Sequence, residues 1–120
     1  MAEQAKFVII KHDGKQIGVL EDLDLKKLQT TLSGQTNVVV RIGNFILAKG
    51  MIHAIVRAEN TIEAGNNMHM VVARCNVYVN ATDVSATLDK IETETNSKEF
   101  VLIDDSVLFF RLALEVAQPL

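Results

Sequence analysis

The sequence has no tryptophan, one proline and one cysteine among its 120 residues. The lone Cys75 cannot form an intramolecular disulfide, so nothing indicates an oxidising compartment. No apolar stretch approaches the roughly 20 residues that a membrane-spanning helix needs. With a net charge of −3, the chain also lacks the basic field that draws proteins to nucleic acid. These absences favour a cytoplasmic protein that binds neither a membrane nor a nucleic acid duplex.

Sequence motifs of catalysis are missing too. The six glycines form neither GxGxxG nor GxxxxGK[ST], and no serine lies in GxSxG. Cys75 is predicted to be buried among valines, where a thiol is unreactive. The carboxylate pairs Asp104-Asp105 and Glu92/Glu94 are typical of a solvated turn and a helix surface. We therefore predict that the chain is not an enzyme and holds no cofactor.

The first half of the chain predicts two β-hairpins separated by a short helix. Strands over 6–11 and 16–20 flank Asp13-Gly14, which favours a two-residue type I′ turn. Leu25, Leu28 and Leu32 then lie on one helical face, with Asp22 and Asp24 at the start and Gly34 suited to the C-terminal cap. The second hairpin pairs 37–42 with 45–50, and a strand over 51–59 follows.

The second half of the chain predicts one long strand over 68–79 and then a second helix. Val84, Leu88 and Ile91 give that helix, over 82–97, an apolar face, with Thr82 as its N-cap. A strand over 99–103 follows. Residues 106–117 fit either a capped helix or a strand, and their alternation favours the strand. "VVVRIGNFIL" and "FVLIDDSVLF" fall at similar places after the two helices, which hints at a duplicated half.

Together these elements predict an α+β fold in a single domain over 1–120. Its main component is an antiparallel sheet of about six to eight strands, with two short helices on one side. The composition, 48% hydrophobic and 22% charged, is that of an ordinary globular chain.

The stretch "IHAIVRAENTIEAGNNMHMVVARC" holds two histidines and Cys75, and it raises the question of a metal site. In strand 68–79, alternation places His69 and Cys75 on the core face, six residues and about 20 Å apart. Zinc ligands converge to about 2 Å from the ion. The sequence therefore predicts no metal site.

The same alternation leaves a mixed face on the other side of the predicted sheet. Arginine forks suit phosphate or carboxylate, and tyrosine suits stacking on a base, so one interpretation is a site for a small anionic ligand such as a nucleotide. Methionine, arginine and aromatic residues are also enriched at subunit interfaces, so the other is contact between copies in a homo-oligomer. The candidate residues are His53, Arg57, Arg74, Asn76 and Tyr78.

Over about residues 6–57 the chain resembles small β-rich proteins encoded by phages and prophages of Gram-positive bacteria. The shared pattern is a hairpin, a short leucine helix and a second hairpin that ends in an apolar stretch, here "MIHAIV". The resemblance implies a mobile-element origin and the cytoplasm of a host cell. Because compact phage proteins of this kind are commonly inhibitors of host defences, the resemblance implies a non-catalytic inhibitor. Such an inhibitor would sequester a nucleotide-like signal or block a protein partner. The alternative is a structural or assembly protein that functions by self-association.

Overall fold

The computed structural model describes residues 4–34 and 38–120, and within them the chain forms ten strands and two α-helices. We divide it into a first unit, residues 7–57, and a second unit, residues 68–119. The first unit comprises β1 Phe7–Lys11, β2 Gln16–Val19, α1 Leu25–Leu32, β3 Val39–Ile42, β4 Phe45–Ala48, a 3₁₀ turn Lys49–Met51 and β5 Ile52–Arg57. The second comprises β6 Met68–Val72, β7 Cys75–Val79, α2 Val84–Thr95, β8 Phe100–Ile103, β9 Val107–Phe110, a 3₁₀ turn Arg111–Ala113 and β10 Leu114–Pro119. A 3₁₀ turn over Ala58–Thr61 joins them.

The described strands form three antiparallel sheets, so the α+β class is confirmed but the predicted strand number is wrong. The sheets have the orders β2-β1-β5-β9-β8, β10-β6-β7 and β3-β4. Two predicted strands are each split in two. The 3₁₀ turn Arg111–Ala113 divides the last one, and a reverse turn divides 68–79.

That reverse turn, Ala73-Arg74, accounts for the largest error of the sequence analysis. Both residues have positive φ angles, 49° and 67°, as a two-residue type I′ turn requires. Non-glycine residues seldom adopt positive φ, and neither alanine nor arginine signals such a turn. The chain therefore folds back, and Val72 lies opposite Cys75. Alternation continued through 68–79 predicted the wrong face for every residue on one side of the turn.

Several smaller details also differ from the prediction. Between β1 and β2 only Gly14 has a positive φ, and its N–H donates to Lys11 O, so the loop has three residues and is not a two-residue type I′ turn. The N-cap of α2 is Asp83 rather than Thr82, and the C-cap of α1 is Ser33 rather than Gly34. The predicted second hairpin began at residue 37, which lies outside the described residues.

The two helices lie on opposite faces of the five-stranded sheet, not on one side as predicted. Strand β8 shows this clearly, because its side chains alternate between two buried clusters. Phe100 and Leu102 pack with Leu25 and Leu32 of α1, whereas Val101 and Ile103 pack in the cluster that holds Ile91 of α2. The β10-β6-β7 sheet also contributes to the second cluster, so both faces of the larger sheet are covered.

The second unit repeats the first in element order and in strand pairing, a similarity at which the sequence only hinted. In each unit the first strand pairs with the second and with the last, and the two strands after the helix form a hairpin. Even the irregularity is shared. The pairing of β1 with β5 skips His53, and the pairing of β6 with β10 skips Glu115.

One pairing breaks the repeat. Strand β9 of the second unit pairs with β5 of the first, and its counterpart would be a pairing of β4 with β10. Within the described chain β4 pairs only with β3, and β10 only with β6.

Candidate functional site

The structure does not place the five predicted site residues on one face. His53 and Arg57 lie on β5 of the five-stranded sheet, while Asn76 and Tyr78 lie on β7 of another sheet. Arg74 lies in the turn that precedes β7. The predicted common face required 68–79 to be one strand, so the turn at Ala73-Arg74 removes it.

Arg57 is engaged in contacts within the fold. Its guanidinium lies over the ring of Phe7, 5.0 Å from the centroid. Its Nε donates to Asp105 O at 2.8 Å, and its Nη2 forms an ion pair with Asp105 Oδ2 at 3.3 Å. These bonds join β5 to the turn between β8 and β9. A phosphate or carboxylate ligand would have to compete with Asp105 for this side chain.

His53 lies at the bulge of β5 and packs against aromatic rings. Its centroid is 5.6 Å from that of Phe110 and 6.3 Å from that of His12. Its Nδ1 is buried without a hydrogen-bond partner among the residues that the structure describes. Burial, with a smaller contribution from His12, lowers the pKa of His53 below its usual value. This environment favours the neutral imidazole and suits packing more than recognition of an anion.

Asn76 and Tyr78 share the outer face of the β10-β6-β7 sheet with His69, which the sequence analysis placed in the core. The rings of His69 and Tyr78 stack at 5.1 Å. His69 Nε2 bonds to Asn76 Oδ1 at 2.9 Å, and Gln118 Nε2 donates to His69 Nδ1 at 3.2 Å. The imidazole is thus fixed by a side chain on each neighbouring strand, and these residues form a half-exposed polar cluster.

Cys75 is buried as predicted, and its surroundings are structural. Its Sγ donates to Gly14 O at 3.2 Å and accepts from Gln16 Nε2 at 3.5 Å. Across residues 4–34 and 38–120, no group of three potential metal ligands from histidine, cysteine and acidic residues comes together.

A cleft of about 290 Å³ lies where the first unit meets β8 and β9. Its charged groups are Lys49 and Glu99, which already form an ion pair at 3.4 Å. The other lining residues are Val38, Gly50, Ile52, Phe100 and Phe110. This set contains no nucleophile with an adjacent base, so it does not form a catalytic arrangement.

The β3–β4 hairpin exposes apolar side chains whose counterparts in the second unit are buried. Phe45 and Val107 begin equivalent strands 62 positions apart, as do Ile52 and Leu114, and Val39 and Phe100 begin equivalent strands 61 positions apart. The hairpin surface, which we define as Val39, Phe45 and Ile46, has exposed fractions of 56%, 37% and 71%. The equivalent residues Phe100, Val107 and Leu108 have fractions of 2%, 0% and 0%. Contact with the first unit covers these three, and nothing in the described chain covers the hairpin surface.

Strand β10 presents the matching unpaired sheet edge. Its equivalent, β5, is hydrogen-bonded on both sides, to β1 and to β9, whereas among the described strands β10 has a neighbour, β6, on one side only. Unpaired edges are templates for another strand. We define the β10 edge as Val116, Ala117 and Gln118, the equivalents of the residues of β5 that pair with β9. The sequence analysis missed both surfaces, although the repeat that it noted is the signal that identifies them.

None of the described helices is long and apolar enough to cross a membrane. Comparison of the chain with models of protein families, with curated proteins and with solved structures found no match.

Proposed function

We propose that this chain is a non-catalytic assembly protein that functions by self-association. The observation that carries the proposal is the contrast between the exposed hairpin surface and its buried counterpart on β8 and β9. Val39 and Ile46 are diagonal neighbours on one face of the hairpin, and exposed apolar side chains that lie together can mark a contact with another protein. The hairpin surface is apolar in the same positions as a surface that this fold already uses to join two units.

The contacts that Arg57 and His53 make within the fold support a structural role for these two residues. An origin in a phage remains a prediction from the sequence resemblance, as does inhibition of a host defence. The assembly function does not depend on either.

Binding of a small anionic ligand is the second candidate function. The observation that favours it is the cluster of His69, Asn76 and Tyr78, in which a stacked ring pair lies beside amide groups. Arg74 is exposed at the end of the same hairpin. Of the two predicted arginines, it is Arg57 that is paired with Asp105. The probe is a nucleotide added to the protein and followed by isothermal titration calorimetry, with Arg74→Ala as the variant expected to lose any heat of binding.

Sedimentation velocity over a wide range of protein concentration tests the assembly function. We expect the sedimentation coefficient of the wild-type chain to rise with concentration, and Ile46→Lys to sediment as a monomer. Ile62→Lys is the matched control, because Ile62 is also exposed, at 58%, but lies outside the hairpin. A wild-type chain that remains monomeric at every concentration would overturn the proposed function.

A further inference from the structure

The internal repeat also indicates which surface covers the hairpin. In the chain, β9 adds to the free side of β5, and this contact buries the counterparts of the hairpin surface. If the second unit were extended as the first unit is, a strand equivalent to β9 would pair with the free side of β10. The strand equivalent to β9 is β4, and β4 of the same chain does not occupy that position.

We propose that copies of this chain associate head to tail, with β4 of one copy paired antiparallel to β10 of the next. This inference rests on the proposed function and names the partner as a second copy in a defined orientation. The register follows from the pairs Ala54↔Phe109, Ile55↔Leu108 and Val56↔Val107. When each β5 residue is replaced by its β10 equivalent and each β9 residue by its β4 equivalent, these pairs become Val116↔Leu47, Ala117↔Ile46 and Gln118↔Phe45.

The charges that lie beside the two surfaces are of opposite sign. Strands β3 and β4 carry one charged residue, Arg41, and β10 carries one charged residue, Glu115. Arg41 lies on β3, one strand in from the free side of β4, and Glu115 lies next to the β10 edge. Charges of opposite sign near the two surfaces favour the approach of β4 to β10 over that of two copies of the same surface.

The end of β10 limits how far the pairing extends. In the contact made within the chain, Arg57 N donates to Ser106 O at 3.0 Å, just beyond the three paired residues. The residue equivalent to Arg57 is Pro119, which has no N–H to donate. The ladder between copies therefore spans Val116 to Gln118 and stops at Pro119.

A contact between two different surfaces has a consequence for the assembly. Each copy that binds through its hairpin leaves its own β10 edge free for another copy. Such heterologous contacts propagate until they close as a ring or extend as a filament. In the wild-type assembly every copy can use both surfaces, whereas a copy with one surface blocked ends the chain.

Disulfide cross-linking tests the polarity and the register. In a Cys75→Ala background, one variant carries Ile46→Cys and another carries Ala117→Cys, and circular dichroism first confirms that each is folded. Directly opposed residues in an antiparallel pair have Cα atoms about 4.5–5.5 Å apart, within the range that a disulfide spans. We expect an oxidised mixture to yield one cross-linked species that contains one copy of each variant.

The matched control replaces Ala117→Cys with Leu114→Cys, which is displaced by three residues along β10, or about 10 Å. It should cross-link poorly with Ile46→Cys. A dimer formed by either single-cysteine variant alone, or equal cross-linking at 114 and 117, would overturn the proposed pairing. Neither result would affect the assembly function, which fails only if the wild-type chain remains monomeric in sedimentation.

Blocked variants provide a second test that needs no new cysteine. Ile46→Lys retains the β10 edge, and Val116→Lys retains the hairpin surface; both positions are exposed, at 71% and 41%. We expect each variant alone to be monomeric and an equal mixture to form a dimer, since each supplies the surface that the other has lost. A mixture that stays monomeric would contradict head-to-tail association.

Discussion

Ile46 and Leu108 occupy equivalent positions in the two units, yet Ile46 is 71% exposed and Leu108 is completely buried. Both lie on the second strand of the hairpin that follows the helix of their unit. The difference between them is tertiary, since Leu108 pairs with Ile55, whereas β3 is the only described strand beside Ile46. Equivalent positions thus lie in the core of one unit, at Leu108, and on the surface of the other, at Ile46.

Substitutions at this pair should have unequal effects on the stability of the isolated chain. Leu108→Ala should reduce the free energy of unfolding by about 2–5 kcal/mol, because it opens a cavity in a packed core. Ile46→Ala should change it by less than about 0.5 kcal/mol, as expected for an exposed position. Urea denaturation at low protein concentration, where association is minimal, measures both. Similar losses for the two variants would mean that the hairpin surface is covered within the monomer.

Relief of the strained turn at Ala73-Arg74 should stabilise the protein. Arg74 has a φ of 67°, which costs an ordinary residue about 1–2 kcal/mol and glycine little. Arg74→Gly should therefore raise the free energy of unfolding by up to about 1 kcal/mol, despite the greater freedom of glycine in the unfolded chain. Denaturant unfolding gives the value. Arg111→Gly is the control: Arg111 is exposed and its φ is not positive, so the change should destabilise. A loss of stability in Arg74→Gly would show that the arginine side chain contributes to the fold.

The sequence predicted elements well wherever their local signals agreed with the tertiary structure. Both helices and the hairpins β1–β2 and β3–β4 are near their predicted positions, since apolar spacing and glycine-containing turns identify them. The turn at Ala73-Arg74 could not be found in that way. Its residues have no preference for positive φ, and the packing of Val72 and Cys75 in the same buried cluster determines it.

The candidate site was less accessible to sequence reasoning than the fold. Alternation assigns side chains to faces only when strand boundaries are correct. Because the turn at Ala73-Arg74 was missed, Arg57 and Tyr78 were assigned to one face, whereas they lie on different sheets. An unpaired edge is harder still, since β4 and β9 have similar apolar sequences and differ in whether another strand lies beside them. The repeat noted after the two helices becomes informative only once the pairing of β5 with β9 is known.

Arg57 should contribute to stability more than an ordinary surface ion pair. Its guanidinium contacts the Phe7 ring and bonds to the backbone and carboxylate of Asp105. Arg57→Ala should cost about 1–2 kcal/mol in the free energy of unfolding, because it removes a cation–π contact and a charged hydrogen bond together. Lys90→Ala, which removes an i, i+4 ion pair with Glu94 on α2, should cost about 0.3–0.5 kcal/mol. Equal costs would mean that the Phe7 and Asp105 contacts add nothing.

His53 should make stability depend on pH in the mildly acidic range. Its folded-state pKa is lowered from 6.5, first by burial and then by His12, so the unfolded chain takes up this proton more readily than the folded one. The stabilising contribution is therefore fully present above pH 6.5 and is lost as the pH falls from there towards the folded pKa. His53→Gln should flatten the dependence of the urea midpoint on pH in this range. His12→Gln, which removes the smaller cause, should flatten it only in part. A His53→Gln variant with the same pH profile as the wild-type chain would assign the dependence to other groups.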